Sequence, residues 1–189
     1  MKDSKLSIRP LVLDDATHFA AHVRVGNAES GCHGQPHFHP YSADSPFDVL
    51  TYGQAQRRCW QMSLSAPGWR RVWGLFRAKL MVGHIVLDGS GLHSALHRAN
   101  VGMAILSQYR GQGGGRRLLH TVIDWSEQHA QLHWLDLGVF TENPGAHALY
   151  LSLGFKERGR TLDCFRIDGH RVDDIQMSRW VGPAGREPT

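Results

Sequence analysis

The segment Arg110-Gly111-Gln112-Gly113-Gly114-Gly115-Arg116 separates an apolar, strand-like run from an amphipathic stretch of helical spacing. Glycine reaches positive φ and lets the backbone approach a ligand without a Cβ in the way. Ahead of a helix, such a turn aims several unpaired N–H groups, backed by the positive end of the helix dipole, at one point. Arg110, Arg116 and Arg117 add charge beside it, and a diphosphate suits that arrangement. A plain strand-to-helix connection uses the same residues, so the glycines alone leave both readings open. The phosphate loop that needs Gly-Lys followed by Ser or Thr is not matched by Gly115-Arg116-Arg117. A dinucleotide fingerprint belongs to an early βαβ unit, whereas this turn comes late in the chain.

A second chemistry-bearing group is the run of histidines His33, His37 and His39, with Glu29 nearby. His-x-His can ligate metal, but two such side chains on a loop lack a closed ligand set, and no metal is expected. Loop histidines with no shared task are the alternative. The three cysteines, Cys32, Cys59 and Cys164, are far apart and odd in number, which reads as free thiols rather than a disulfide framework.

The elements that must position these groups follow from periodicity. Ser7–Leu11 reads as a short strand, and Asp14 or Asp15 starts a helix carrying Ala16, Phe19, Ala20 and Val23. Residues 26–46, rich in Gly, Pro, Ser and His, read as a long loop, a feature often functional. A helix follows between Asp48 and Leu64 and closes at Pro67-Gly68. Val72–Arg77 and Leu80–Leu87 form two strands around Lys79, and Ala99–Leu106 a third that runs into the glycines. Leu118, Leu119, Val122, Ile123 and Ser126 share one helix face; Leu135, Leu137 and Val139 alternate as a strand. Ala146, Leu149, Tyr150 and Leu153 form a second helical stripe stopped by Gly154, and closing strands flank Asp168-Gly169. This order predicts a single α/β (α+β) domain over residues 1–189, with a mixed, mostly antiparallel sheet flanked by helices.

Bulk composition bounds the function. With 189 residues, 41% hydrophobic and 20% charged, the chain suits one globular domain. No apolar run approaches a membrane span and Met1–Arg9 lacks the core of a secretory signal, so a cytoplasmic protein without membrane partners is expected. The net charge of +4 permits a phosphorylated ligand or nucleic acid. The basic residues come as scattered pairs without interleaved stacking aromatics, which argues against nucleic acid.

Two linked motifs make the reading specific. Ile105–Gly115 resembles the acetyl-CoA-binding segment of the GCN5-related N-acetyltransferase (GNAT) superfamily, with Arg110, Gly113 and Gly115 at its patterned positions. Asn143, Ala146, Leu149-Tyr150 and Gly154-Phe155 resemble that family's second motif, in the expected order. Asp168-Gly169 followed by Asp173 and Met177 resembles the tail of members acting on small amines or amino acids. The resemblance spans Val72–Met177 and leaves the 26–46 loop unmatched.

The resemblance implies splayed central strands ending near Leu106 and Val139, and acetyl-CoA as co-substrate. It implies that the backbone of Met103, Ala104 and Ile105 holds the pantetheine arm and that the amides of Arg110, Gly111, Gln112, Gly113, Gly114 and Gly115 take the pyrophosphate. It further implies that Arg116 and Arg117 meet the nucleotide phosphates, a solvent-facing pair being the alternative. Asn143 meets the pantetheine, a role compatible with capping the helix that Pro144 begins. The long loop would cover the acceptor site, a reading preferred here to metal binding. The chemistry implied is attack of a neutral amine on a thioester, with a backbone N–H for the oxyanion and Tyr150 protonating the leaving thiolate. Many relatives carry a glutamate base where Asn100 stands, and His84, His97 and Asp88 lie nearby in sequence. The expected activity is acetylation of a primary amine of a small molecule or amino acid, by a monomer or homodimer. A protein N-terminal or lysine acetyltransferase, and a CoA-binding sensor without turnover, are the alternatives.

Overall fold

The computed structural model describes residues 5–32, 34–42, 44–185 and 187. Its seven strands form one mixed sheet flanked by helices, in the order β1-β2-β3-β4-β5-β7-β6. The strands are β1 (Leu6–Pro10), β2 (Arg70–Arg77), β3 (Leu80–Gly89), β4 (Arg98–Ile105), β5 (Trp134–Phe140), β6 (Lys156–Ile167) and β7 (His170–Trp180). The helices are α1 (Ala16–Glu29), α2 (Val49–Gln61), α3 (Gly114–Glu127) and α4 (Pro144–Ser152). Every neighbouring pair runs antiparallel except β4 and β5. The α/β class with a mostly antiparallel sheet is as expected.

Each face of the sheet carries its own core. On one side Leu75, Ile85, Leu135, Leu137 and Val139 pack under Leu118, Leu119, Val122 and Ile123 of α3. On the other, Phe19 of α1 joins Val72, Phe76, Met81 and Val86, with Tyr52 and Trp60 of α2 beside them. Alternation along the strands sorts the residues to these faces.

The β4–β5 pairing matters most for function. It has only three rungs, Arg98 with Trp134, Ala99 with Leu135 and Asn100 with Asp136. Beyond them β4 continues five residues to Ile105 and β5 four to Phe140, with no ladder between them. The sheet is therefore split at its middle, on the C-terminal side of both strands.

The long loop begins later than its composition suggests. Gly26, Asn27, Ala28 and Glu29 stay in α1 rather than in the loop. A helix-interior glycine costs about 1 kcal/mol relative to alanine. Here the buried face of Ala16, Phe19, Ala20 and His22 and the anchoring of Glu29 offset that cost. Asp48 caps α2, its carboxylate accepting the Thr51 N–H at 2.6 Å. Asp15 precedes α1, yet its carboxylate turns back to the Val12 N–H at 2.9 Å and to Arg9 rather than into the helix.

Candidate active site

The split leaves main-chain groups facing nothing. Leu106 N–H donates to the Val82 carbonyl at 3.0 Å, so alternation points the polar groups of Ala104 toward β3 as well. Those of Met103 and Ile105 then face the gap. Across it, Thr141 N–H donates to Asp173 O at 3.1 Å, which by the same rule turns the polar groups of Gly138 and Phe140 toward β4. One of these groups is engaged: the Ile105 carbonyl accepts Arg110 Nε at 2.7 Å.

The glycine turn prolongs this open edge. A 3₁₀ turn over Ser107–Tyr109 leads to Gly111 at φ 72° and Gly113 at φ 77°. Gly113 is the N-cap of α3, in a left-handed conformation that any L side chain adopts at a cost of roughly 1–2 kcal/mol. Arg110 N–H bonds to Ser107 O and Arg117 N–H to Gly113 O. Between them, the amides of residues 111–116 have no acceptor among the described residues. Gly114 is buried, and a Cβ there would lie 2.7 Å from Leu75, so glycine lets α3 settle onto β2.

These features meet in one cleft of about 520 Å³. Met103, Ala104 and Ile105 form one wall; Gly138, Val139, Phe140, Asn143, Ala146, Leu149 and Tyr150 form the other. Arg110, Gly111, Gly113, Gly114, Gly115 and Arg116 close one end. Of the residues 103–105, 110–116 and Asn143 expected to hold acetyl-CoA, Gln112 is the one outside the lining; its side chain bonds back to Gln108 O at 3.3 Å. Asn143 Oδ1 accepts the Ala146 N–H at 3.2 Å, which caps α4 and leaves its amide NH₂ for the cleft. Tyr150 is buried against Phe155, and burial pushes its phenol up to about 12. That hydroxyl keeps its proton throughout the neutral range.

The arginines do different work from the amides. Arg110 donates Nη1 to Gln35 Oε1 at 2.5 Å and Nη2 to Glu29 at 3.3 Å, with Phe38 5.1 Å from its guanidinium. Its side chain thus ties the loop to the end of β4. Arg116 donates to Ser152 at 2.8 Å and Arg117 to the Leu6 carbonyl at 3.0 Å.

Pro36 and Phe38 of the loop also line the cleft. His37 Nδ1 lies 3.4 Å from Glu142, and His39 Nε2 lies 3.2 Å from the Asn27 carbonyl. The two rings therefore fasten the loop to opposite sides of the site. Burial lowers His39 below its ordinary value. His33 lies outside the described residues.

Of the side chains considered as bases near Asn100, Asp88 is ion-paired and His84 is packed inside the fold. Asp88 is clasped by Arg70 through Nε and, at 2.8 Å, through Nη2. His84 is buried against Phe19 and His22, and burial, with His22 and Arg70 adding to it, pushes it down to about 3. His97 sits at the closed end of the split, its carbonyl held by His133 and Trp134. Sequence reasoning passed over Gly138, Phe140 and the loop pair Pro36 and Phe38. Gly138 and Phe140 fall on the face of β5 opposite the apolar alternation that identified the strand, and Phe38 was the apolar residue among the loop histidines.

Comparison with known proteins adds an independent line. A family-wide profile described as the acetyltransferase (GNAT) family matches residues 40–155. The spermidine N(1)-acetyltransferase of Vibrio cholerae is 35% identical over 83 residues, 43% of this chain and 48% of that protein. The L-amino acid N-acetyltransferase AaaT of Escherichia coli is 25% identical over 99 residues, 52% of this chain and 61% of that protein. The chain thus spans about half to three fifths of the length of these curated relatives. In fold it is similar to yncA of Salmonella typhimurium, solved with its cofactor acetyl-CoA, with a TM-score of 0.73 at 15% identity over 97% of this chain and 98% of that one. The profile covers more than half of the residues, including the glycine turn and the second motif around Tyr150, and the chain belongs to the acetyltransferase (GNAT) family.

Proposed function

We propose that the chain transfers an acetyl group from acetyl-CoA to the primary amine of a small molecule or amino acid. The observation that carries this reading is the continuity of the open β4 edge with the free amides of residues 111–116, facing Tyr150 across one cleft. An extended pantetheine arm fits an unpaired strand edge, and a pyrophosphate fits a nest of amides at a helix N-terminus. Bound there, acetyl-CoA supplies an activated thioester. In this reading the N–H groups of Met103 and Ile105 donate to a developing oxyanion, and the neutral Tyr150 phenol protonates the departing sulfur. The names of the spermidine and L-amino acid relatives support a small amine as acceptor.

The test is release of free thiol from acetyl-CoA across spermidine, L-amino acids and a peptide with a free N-terminus. Turnover with a small amine, together with saturable acetyl-CoA binding, is the expected result. Binding without turnover across the panel would overturn the reading in favour of a sensor. Preference for the peptide would reassign the acceptor.

A further inference from the structure

A carboxylate lies against Gly138, a residue of the cleft wall that carries no side chain. Gly138 lines the β5 wall, and its absent Cβ would lie 2.7 Å from both carboxylate oxygens of Asp174. Asp174 belongs to β7, pairs with Phe140 and is 8% exposed. It therefore leans across β5 into the space left by Gly138.

Its partners are unusual for a buried acid. Asp174 Oδ2 accepts Gln176 Nε2 at 2.9 Å, and that amide also donates to Thr161 at 3.1 Å. The other carboxylates around this face of the sheet have basic partners. Asp88 is held by Arg70, Asp136 by Arg98 at 2.6 Å, and Glu142 lies beside His37. No cation reaches Asp174 among the described residues. Beside it are its register partners Phe140 on β5 and Thr161 on β6, and the Cys164 thiol, which desolvation and the Asp174 charge push up. Burying a carboxylate is costly unless a partner compensates it, and an ammonium ion in the cleft would be that partner.

We propose that Asp174 receives the acceptor's ammonium group and takes its proton, serving as the general base that Asn100 cannot be. This rests on the acetyl-transfer reading above. The carboxylate takes one proton from the ammonium ion, freeing the nitrogen lone pair. That nitrogen forms a bond to the thioester carbonyl carbon as the carbon–sulfur bond breaks, and the sulfur takes the Tyr150 proton. The nitrogen's second proton returns to the phenolate, and Asp174 gives its own to solvent when the amide leaves. The sum is one amide, one thiol and one released proton. Gly138 is the enabling residue, because any Cβ there would displace the carboxylate.

The experiment compares wild type, Asp174→Asn and Gly138→Ala with acetyl-CoA and two acceptors. One is a strongly basic amine (spermidine), the other trifluoroethylamine, which is already neutral at the assay pH. With spermidine both variants should lose about 10²-fold or more in kcat/KM, the range for one proton-transfer group. With trifluoroethylamine the loss should shrink to a few-fold, and acetyl-CoA Kd and Tm should stay near wild type. Wild-type turnover with Asp174→Asn within threefold for spermidine would overturn the assignment alone. An equal loss with both amines would assign Asp174 to packing and also overturn it. Absence of wild-type turnover would overturn both this assignment and the proposed function. Gly138→Ala keeps Asp174 itself, so a deficit shared by both variants is not the loss of one side chain's fold.

Discussion

Arg110 and Glu29 lie 3.3 Å apart, joining the first residue of the glycine turn to the last residue of α1. Glu29 also accepts the Ser107 N–H at 2.8 Å, and Arg110 donates to the Ile105 carbonyl at 2.7 Å. The charge expected at the phosphates is thus committed to holding the loop against the end of β4. Arg110→Ala should cost about 1 kcal/mol, or roughly 2–4 °C in Tm, because the pair is partly solvated and its hydrogen bonds are few. It should raise the acceptor KM several-fold and leave the salt dependence of acetyl-CoA binding as it was. A flattened salt dependence with unchanged Tm would return Arg110 to the phosphates.

Gly113 separates conformation from charge. No atom lies within 4 Å of its missing Cβ, so alanine brings only the strain of φ 77°. Gly113→Ala should therefore weaken acetyl-CoA binding by no more than about tenfold, the equivalent of roughly 1–2 kcal/mol. Gly113→Asp adds a negative charge to the amide nest and should abolish binding at micromolar concentrations. Isothermal titration of both variants checks this, and similar affinities for the two would remove the anion nest from the site.

Tyr150→Phe keeps the ring on Phe155 and removes only the hydroxyl. Turnover should fall by about 10²–10⁴-fold with acetyl-CoA affinity little changed. Because burial pushes the phenol up to about 12, wild-type kcat should show no alkaline loss from this group below about pH 10. Near-parent kcat in a stable Phe variant would leave water or the acceptor as the proton source.

Two buried imidazoles set the acid limit of the fold. His22 and His84 both have values below the usual 6.5, chiefly through burial, with His84 at about 3. The unfolded chain therefore binds more protons than the folded one in the window from about 6.5 down to 3. Stability is fully present above that window and falls through it, by at most about 1.4 kcal/mol per pH unit for each histidine. His84→Leu should flatten the slope of urea-unfolding free energy between pH 6 and 4 without altering it above pH 7. An unchanged slope would mean that the His84 ring does not stay neutral in the folded state.

Legibility in the sequence followed periodicity. The alternation of Leu135, Leu137 and Val139 located β5, and the stripe ending at Gly154 located α4, because both bury one apolar face. The glycine turn was legible through its composition, and Tyr150 only through resemblance. Gly138 and Asp174 were not, since a glycine on the polar face of a strand and an acid in a closing strand have no local signature. Their meaning arises from the β5–β7 register, a contact across 36 positions that no short window contains. The end of α1 was misjudged for a related reason: Gly26 and Asn27 favour a loop locally, while Glu29 is held by Ser107, 78 positions away.

The three-rung seam between β4 and β5 bears on how the protein unfolds. Strands β1–β4 and β5–β7 are two antiparallel sub-sheets with few main-chain bonds between them, so amides near the split should exchange with solvent through openings smaller than global unfolding. A ligand laid along the free edges supplies the rungs that the backbone lacks. Occupancy would then slow exchange on both sides of the gap at once and sharpen the thermal transition as well as raise it, so that the two halves melt as one.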